Sequence, residues 1–366
     1  MKLLRAYTLR ELVIPFCVSL LIFTFIFIVG NLVKMADLII NKGVDIVDIL
    51  RIVVLLIPRL LSITIPTSTL TAVLLVFGHM AQDNEIIAMK ASGINIFKIL
   101  LPILIFSIIL SLLSLIMNDQ ILPKTHFAYR KALKNILVKQ PLAYLEAGRF
   151  IKEFEGYVIF VREIDGNMLK NITIYQPQED KPTRTIIAER GEIVSDMDKK
   201  TVSLKLYNGT SDEPNPDDPK VFYKLDFETF ILPPFTFEDG NKLSKKTKDM
   251  TIDELVYEMK TEDSNAFRRS DLMTKLRAEI HKKISFSFAP FVFTLIGLPL
   301  ALITHRGEAV ISFGLSLAVI TVYYIMFAWA NTIAVQGILI PSVALWLPNV
   351  ALSICGVILM YKVVKT

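Results

Sequence analysis

"MAQDNEIIAMKASGINIFK", residues 80–98, stands between two long apolar runs and decides how the rest of the chain is read. A connector between two membrane spans needs only a few polar residues. This one carries a helix start and a helix stop. Asp83 or Asn84 can cap a first turn, Glu85 suits the positive end of the helix dipole, and Gly93 fits the position just past the end. Ile86, Ile87, Met89 and Ala91 give the segment an apolar side. So short a helix is marginal alone in water, which makes sense if something docks on it. An interfacial helix that merely turns the chain fits the same residues equally well.

Outward from this stretch, the 366 residues are 53% hydrophobic with a mean hydropathy of +0.51, too apolar for an ordinary soluble domain. Uncharged runs cover 12–33, 60–78, 99–117, 284–304 and 309–361. Each of the first four matches the ~20 residues that a helix needs to cross a bilayer. The last would make a rod of about 80 Å, so it is split near Gly337 and Pro341. The expected fold is therefore a polytopic α-helical membrane protein with six transmembrane helices and an inserted antiparallel β domain. The first run is too long for a signal peptide and lacks a small-x-small cleavage site, so it is read as a span.

Basic residues set the expected orientation. Lys2, Arg5, Arg10, Lys90, Lys98, Arg306, Lys362 and Lys365 fall on one side, against Lys34, Lys42 and Arg51 on the other. That bias places both termini and the 83–93 helix in the cytoplasm, with the polar insert outside. The net charge of +5 is spread over particular loops and gives no reason to expect a nucleic-acid partner.

The expected organisation is transmembrane helices 1–3 in 1–118, a helical connector at 119–141, the β domain at 142–236, a second connector at 237–283 and helices 4–6 in 284–366. Strand signals lie in "GYVIFVREIDGN", "NITIYQP", "TVSLKLYNG" and "YKLDFETFI". In the last, Tyr223, Leu225, Phe227 and Ile231 alternate with charged residues, as in a half-buried strand. Thr251 and Glu254 stand at capping-box spacing.

No phosphate-binding loop, HExxH or G-x-S-x-G pattern occurs, and Cys17 and Cys355 lie within spans. No catalytic residue, metal site or cofactor is therefore expected in this chain. What stands out instead is a basic set near the outer boundary: Lys34, Lys42, Arg51 and, deeper within span two, Arg59, with Arg130 and Lys131 at the base of the insert. An arginine in hydrocarbon costs ~2.5–3.5 kcal/mol on insertion scales unless it snorkels or faces a polar cavity. Snorkelling is one reading of Arg59. The sharper one is that these cations meet the anionic headgroup of a multi-acyl lipid.

The same stretches resemble the LptF/LptG (YjgP/YjgQ) lipopolysaccharide-export permease family along essentially the whole chain. The carrying motifs are "RAYTLREL", "IPRLLSITIPTSTLTAVLLVFGHMAQDNEIIAMKASGI", "GRFIKEFEGYVIFVREIDG", "RAEIHKKISFSFAPFVFTLIGLPLAL" and "GILIPSVALWLPNVAL", with a slight lean to the LptF half. The resemblance implies a half-transporter of the bacterial inner membrane with a periplasmic β-jellyroll. Its partners would be a homologous half of LptF or LptG type, a cytoplasmic LptB-type ATPase dimer that binds ATP and Mg, and jellyroll proteins of LptC and LptA type. It further implies that Asp83, Asn84, Glu85, Ile86, Ile87, Met89, Ser92 and Gly93 couple to the ATPase, with Glu85 facing it. Lys34 and Arg59 match basic positions that look toward lipid phosphates. The rival reading is a membrane scaffold or mechanotransmitting sensor with a ligand-binding outer domain.

Overall fold

The computed structural model describes residues 2–40, 44–93, 96–139, 147–151, 156–166, 168–177, 183–196, 201–214, 222–233, 235–236, 244–261, 266–304 and 309–365. They form ten α-helices and seven strands, in two compact units. The first unit comprises 1–31, 55–127 and 245–366; the second comprises 32–54 and 128–244.

The helices are α1 (Lys2–Ile40), α2 (Ile46–Gln82), α3 (Glu85–Ala91), α4 (Ile96–Ile116) and α5 (Leu122–Lys139), then α6 (Ile252–Thr261), α7 (Ala266–Ser287), α8 (Ala289–Thr304), α9 (Ala309–Val335) and α10 (Pro341–Lys365). A single π turn, Met117–Ile121, joins α4 to α5 without a break in the rod. Four of the described segments are long and apolar enough to cross a membrane: Ala6–Val33, Leu100–Ile136, Val310–Val335 and Pro341–Val363. A fifth is available if α7 and α8, bent by 41°, count as one span. The expected six-span bundle is thus met in part. The run at 60–78 lies in α2, where Leu70, Ala72, Val73, Leu74 and Phe77 are buried against the rest of the first unit. Its hydroxyls Thr64, Thr67, Ser68, Thr69 and Thr71 are buried too. The run is enclosed by protein.

The prolines act unequally. α2 continues through Pro58 and Pro66, whereas the chain bends at Phe288, just before Pro290. Proline removes a backbone donor and its ring crowds the carbonyl four residues back, which accounts for the bend. Between α9 and α10, Gly337 adopts a left-handed φ of 72°. The Ile338 N–H bonds the Ile333 carbonyl and the Gly337 N–H bonds the Ala334 carbonyl, so orphan carbonyls at the helix end are satisfied. Pro341 then opens α10, where its missing donor costs nothing.

Small and polar residues knit this unit together. A Cβ on Gly297 would come within 2.8 Å of Leu70 on α2, and one on Gly356 within 2.6 Å of the Leu295 carbonyl. Close helix approach of this kind is what small residues permit in membranes. Asn349 accepts from the Tyr323 hydroxyl at 3.0 Å and donates to the Ser285 carbonyl at 2.7 Å, tying α10 to α9 and α7. Thr71 and Ser316 share a buried hydroxyl bond at 3.1 Å.

The second unit holds one antiparallel sheet in the order β1-β2-β3-β4-β5-β6, with β7 beside the start of β5. Its strands are β1 (Phe150–Ile151), β2 (Val158–Asp165), β3 (Met168–Gln176), β4 (Arg184–Asp196), β5 (Thr201–Pro214), β6 (Phe222–Ile231) and β7 (Phe235–Thr236). Alternate residues Ile159, Val161, Leu169, Ile172, Ile174, Ile186, Ala188, Leu204 and Leu206 form its core. β6 departs from the expected half-buried pattern. Tyr223, Leu225 and Ile231 are exposed, and only Phe227 and Phe230 pack on the core. Among the described residues it is the last strand in the sheet's order, with a neighbour on one side.

Candidate functional site: a basic pocket and a short helix

A pocket of about 340 Å³ opens within the first unit. Four elements bring charge to it: Arg59 from α2, His126 from α5, Lys248 from the 3₁₀ turn Thr247–Asp249, and Glu279, Lys282 and Lys283 from α7. Phe286 and Phe327 supply an apolar wall. Four lysine or arginine cations thus face one carboxylate. Glu279 is already engaged, at 3.1 Å from the Lys282 ammonium. Lys283 donates to the Met250 carbonyl. Arg59 and Lys248 are exposed and have no ion-pair partner among the described residues. Two uncommitted donors at the mouth of a cationic pocket suit an anion.

The floor of the pocket is built with care. The π turn aims Asn118 inward, where it accepts from Ser62 at 2.5 Å and donates to Ser287 at 2.9 Å. The next residue, Asp119, accepts from the Ile252 N–H at 2.7 Å. His126 meets the buried Asp249 at 2.5 Å. Polar groups of α2, α5, α7 and the Lys246–Ile252 stretch are thereby held in register, and each bond satisfies a group that burial would otherwise penalise.

Of the basic set expected from sequence, Arg59 is the one that lines this pocket among the described residues. Arg51, exposed on α2, and Arg130 and Lys131, half-buried on α5, belong to the second unit. Arg130 and Lys131 have interactions of their own. Lys34 lies on α1, but its side chain, like the whole of Lys42, falls outside the described residues. Lys248, Lys282 and Lys283 were missed. The "HKK" at 281–283 at the head of an apolar run was a usable signal; nothing local marked Lys248.

The opening stretch folds into a helix of seven residues, α3. The Ala88 N–H bonds the Asn84 carbonyl at 2.9 Å, which puts Asn84 at the cap position. Its φ of 58° is left-handed, a conformation asparagine tolerates better than most residues. Asp83 is exposed in the turn before it. Ile86 is buried and Met89 packs on the core of the first unit, while Ile87 is 55% exposed and faces away. Ser92 donates to the Ala88 carbonyl, and Gly93 follows with a φ of 74°. One side of α3 is seated; the other is open.

Among the described residues no cluster of His, Cys, Asp or Glu could hold a metal ion. An apolar helical bundle with helices long enough to cross a membrane and a polar β insertion is the architecture of a membrane protein. The chain belongs to the lipopolysaccharide export system permease LptF/LptG family, whose model matches residues 6–362. It is similar to the lipopolysaccharide export system permease protein LptF of Escherichia coli K12, with 19% identity covering 96% of this chain and 93% of that protein. It shares the same identity and coverage with LptF of Shigella flexneri. An uncharacterized protein of Rickettsia prowazekii is 26% identical over 154 residues, 42% of this chain and 43% of that protein.

Proposed function

We propose that this chain is one half of a permease that extracts lipopolysaccharide from the bacterial inner membrane, driven by a separate ATPase. The observation that carries the reading is the pocket in which Arg59 and Lys248 stand uncommitted beside Lys282, Lys283 and an aromatic wall. A phosphorylated, multi-acyl lipid offers the matching chemistry: anionic groups for the cations and hydrocarbon for the exposed faces of the spans. Family membership supports the same substrate class.

In this reading the chain has six spans, α2 included, with both termini in the cytoplasm and the sheet in the periplasm. It pairs with a homologous half of LptF or LptG type. ATP and Mg are bound by an LptB-type ATPase dimer, which docks on α3 and its flanking turns, residues 83–93. Closure of the ATPases moves these helices and narrows the cavity. Lys34, Lys42, Arg51, Arg130 and Lys131 add to the basic collar around the headgroup. The β unit acts as a jellyroll that hands lipid to LptC- and LptA-type proteins.

The test is a complex reconstituted in proteoliposomes with the homologous half and the ATPase. Lipopolysaccharide should stimulate ATP hydrolysis, and Arg59→Ala with Lys248→Ala should raise the lipopolysaccharide concentration needed for half-maximal stimulation. No stimulation by the lipid in the unaltered complex would sink the transport reading in favour of a scaffold.

A further inference from the structure

Tyr7, near the start of α1, donates its hydroxyl hydrogen to Glu85 Oε1 at 3.3 Å, across 78 residues of sequence. That is long for an O–H···O bond, whose usual range ends near about 3.0 Å. The other carboxylate oxygen, Oε2, is shut away from solvent and has no hydrogen-bond partner among the described residues. Glu85 is therefore turned in toward α1, weakly held by one oxygen and bare at the other. Glu11 and Asp83 also lie close enough to act on the Tyr7 phenol.

We propose that Tyr7 is a latch on Glu85. In the undocked chain its phenol keeps the carboxylate against α1; on docking, a cationic side chain of the partner takes the carboxylate over. This rests on the docking role proposed above for α3. With Glu85 ionised both bonds are charge-assisted, but a lysine or arginine sets a full positive charge against the carboxylate where the phenol offers only a stretched contact of 3.3 Å, so the cation displaces it. Glu11 and Asp83 draw the same cation in. Tyr7 itself touches neither nucleotide nor lipid. It is a positioning residue that sets how readily the docking helix is engaged.

Tyr7→Phe keeps the ring and removes only the hydroxyl. The chain, paired with its homologous half in nanodiscs, is titrated with the purified ATPase of the same export system. Tyr7→Phe should tighten binding by roughly 3- to 10-fold, the change expected from freeing one modest hydrogen bond. In a Glu85→Gln background the same substitution should change nothing. Unchanged or weaker binding by Tyr7→Phe refutes the latch, as does an effect of equal size in the Glu85→Gln background. If Glu85→Gln alone binds as tightly as the unaltered chain, the docking role of Glu85 fails and the latch with it. If Glu85→Gln weakens binding while Tyr7→Phe is silent, docking stands and only the latch is lost.

Discussion

Arg59 carries a permanent charge into an otherwise apolar stretch of α2, and the pocket explains how it is tolerated. Arg59 is exposed and lines the pocket beside Ser62, Asn118 and Glu279, so the burial cost of a bare cation is avoided. Replacing it by alanine should weaken lipopolysaccharide binding by roughly tenfold, as befits one charge-assisted bond. Lysine should restore part of the loss, because it returns the charge without the planar fork. Titration of the lipid into the reconstituted complex measures both. Glu85→Ala should lower stimulated ATP hydrolysis while leaving the sheet's circular dichroism unchanged; equal loss of both would point to misfolding. At this scale Arg59 was legible because a charge in a greasy run is conspicuous. Lys248 was not, because it lies nearly two hundred residues away and reaches the pocket only through tertiary folding.

Among elements, α6 shows how a local signal becomes a testable dependence on pH. Thr251 and Glu254 form a reciprocal cap: the Glu254 N–H bonds the Thr251 hydroxyl at 3.3 Å, and the Thr251 N–H bonds the Glu254 carboxylate at 3.0 Å. The hydrogen bond from Lys245 holds the Glu254 carboxyl below its usual range; burial works against it by less, and the Thr251 backbone bond adds to the lowering. A depressed acid stabilises the folded form above its unfolded pKa of about 4.3, and that gain disappears as pH falls through the lower folded value. Protection of the Ile252–Thr261 amides, taken as their exchange relative to the intrinsic rate at each pH, should therefore fall on acidification from pH 7 to below ~4, and Glu254→Gln should flatten the response. Packing offers a second check. Gly356→Leu drives a side chain into the Leu295 backbone and should cost about 1–3 kcal/mol, read as a lower melting temperature in detergent. Gly314→Ala, with open space around it, is the control. The strands β5 and β6 were legible from alternation, and β2 and β3 as strand stretches closed by Gly, Asn or Pro, but β4 was not: "AERGE" at 188–192 interrupts its apolar period with charges and a glycine. The exposed apolar face of β6 was equally hidden, since alternation reports two faces and never says which has a neighbour.

For the molecule as a whole, the apolar runs made a membrane bundle legible, and the enclosure of α2 was the part they could not convey. A run of 19 residues reads the same whether lipid or protein surrounds it. The purified chain should hydrolyse no ATP by itself and should acquire lipid-stimulated hydrolysis only with its partners, as a phosphate-release assay would register. α2 also links the two ends of the proposed cycle. It runs unbroken from Arg59 to Gln82, and α3 begins three residues further on. Over that length of about 35 Å, a tilt of some 5° at the inner end sweeps the guanidinium through about 3 Å. That is the width of a hydrogen bond, so a swing too slight to unpack the bundle is enough to let go of a phosphate.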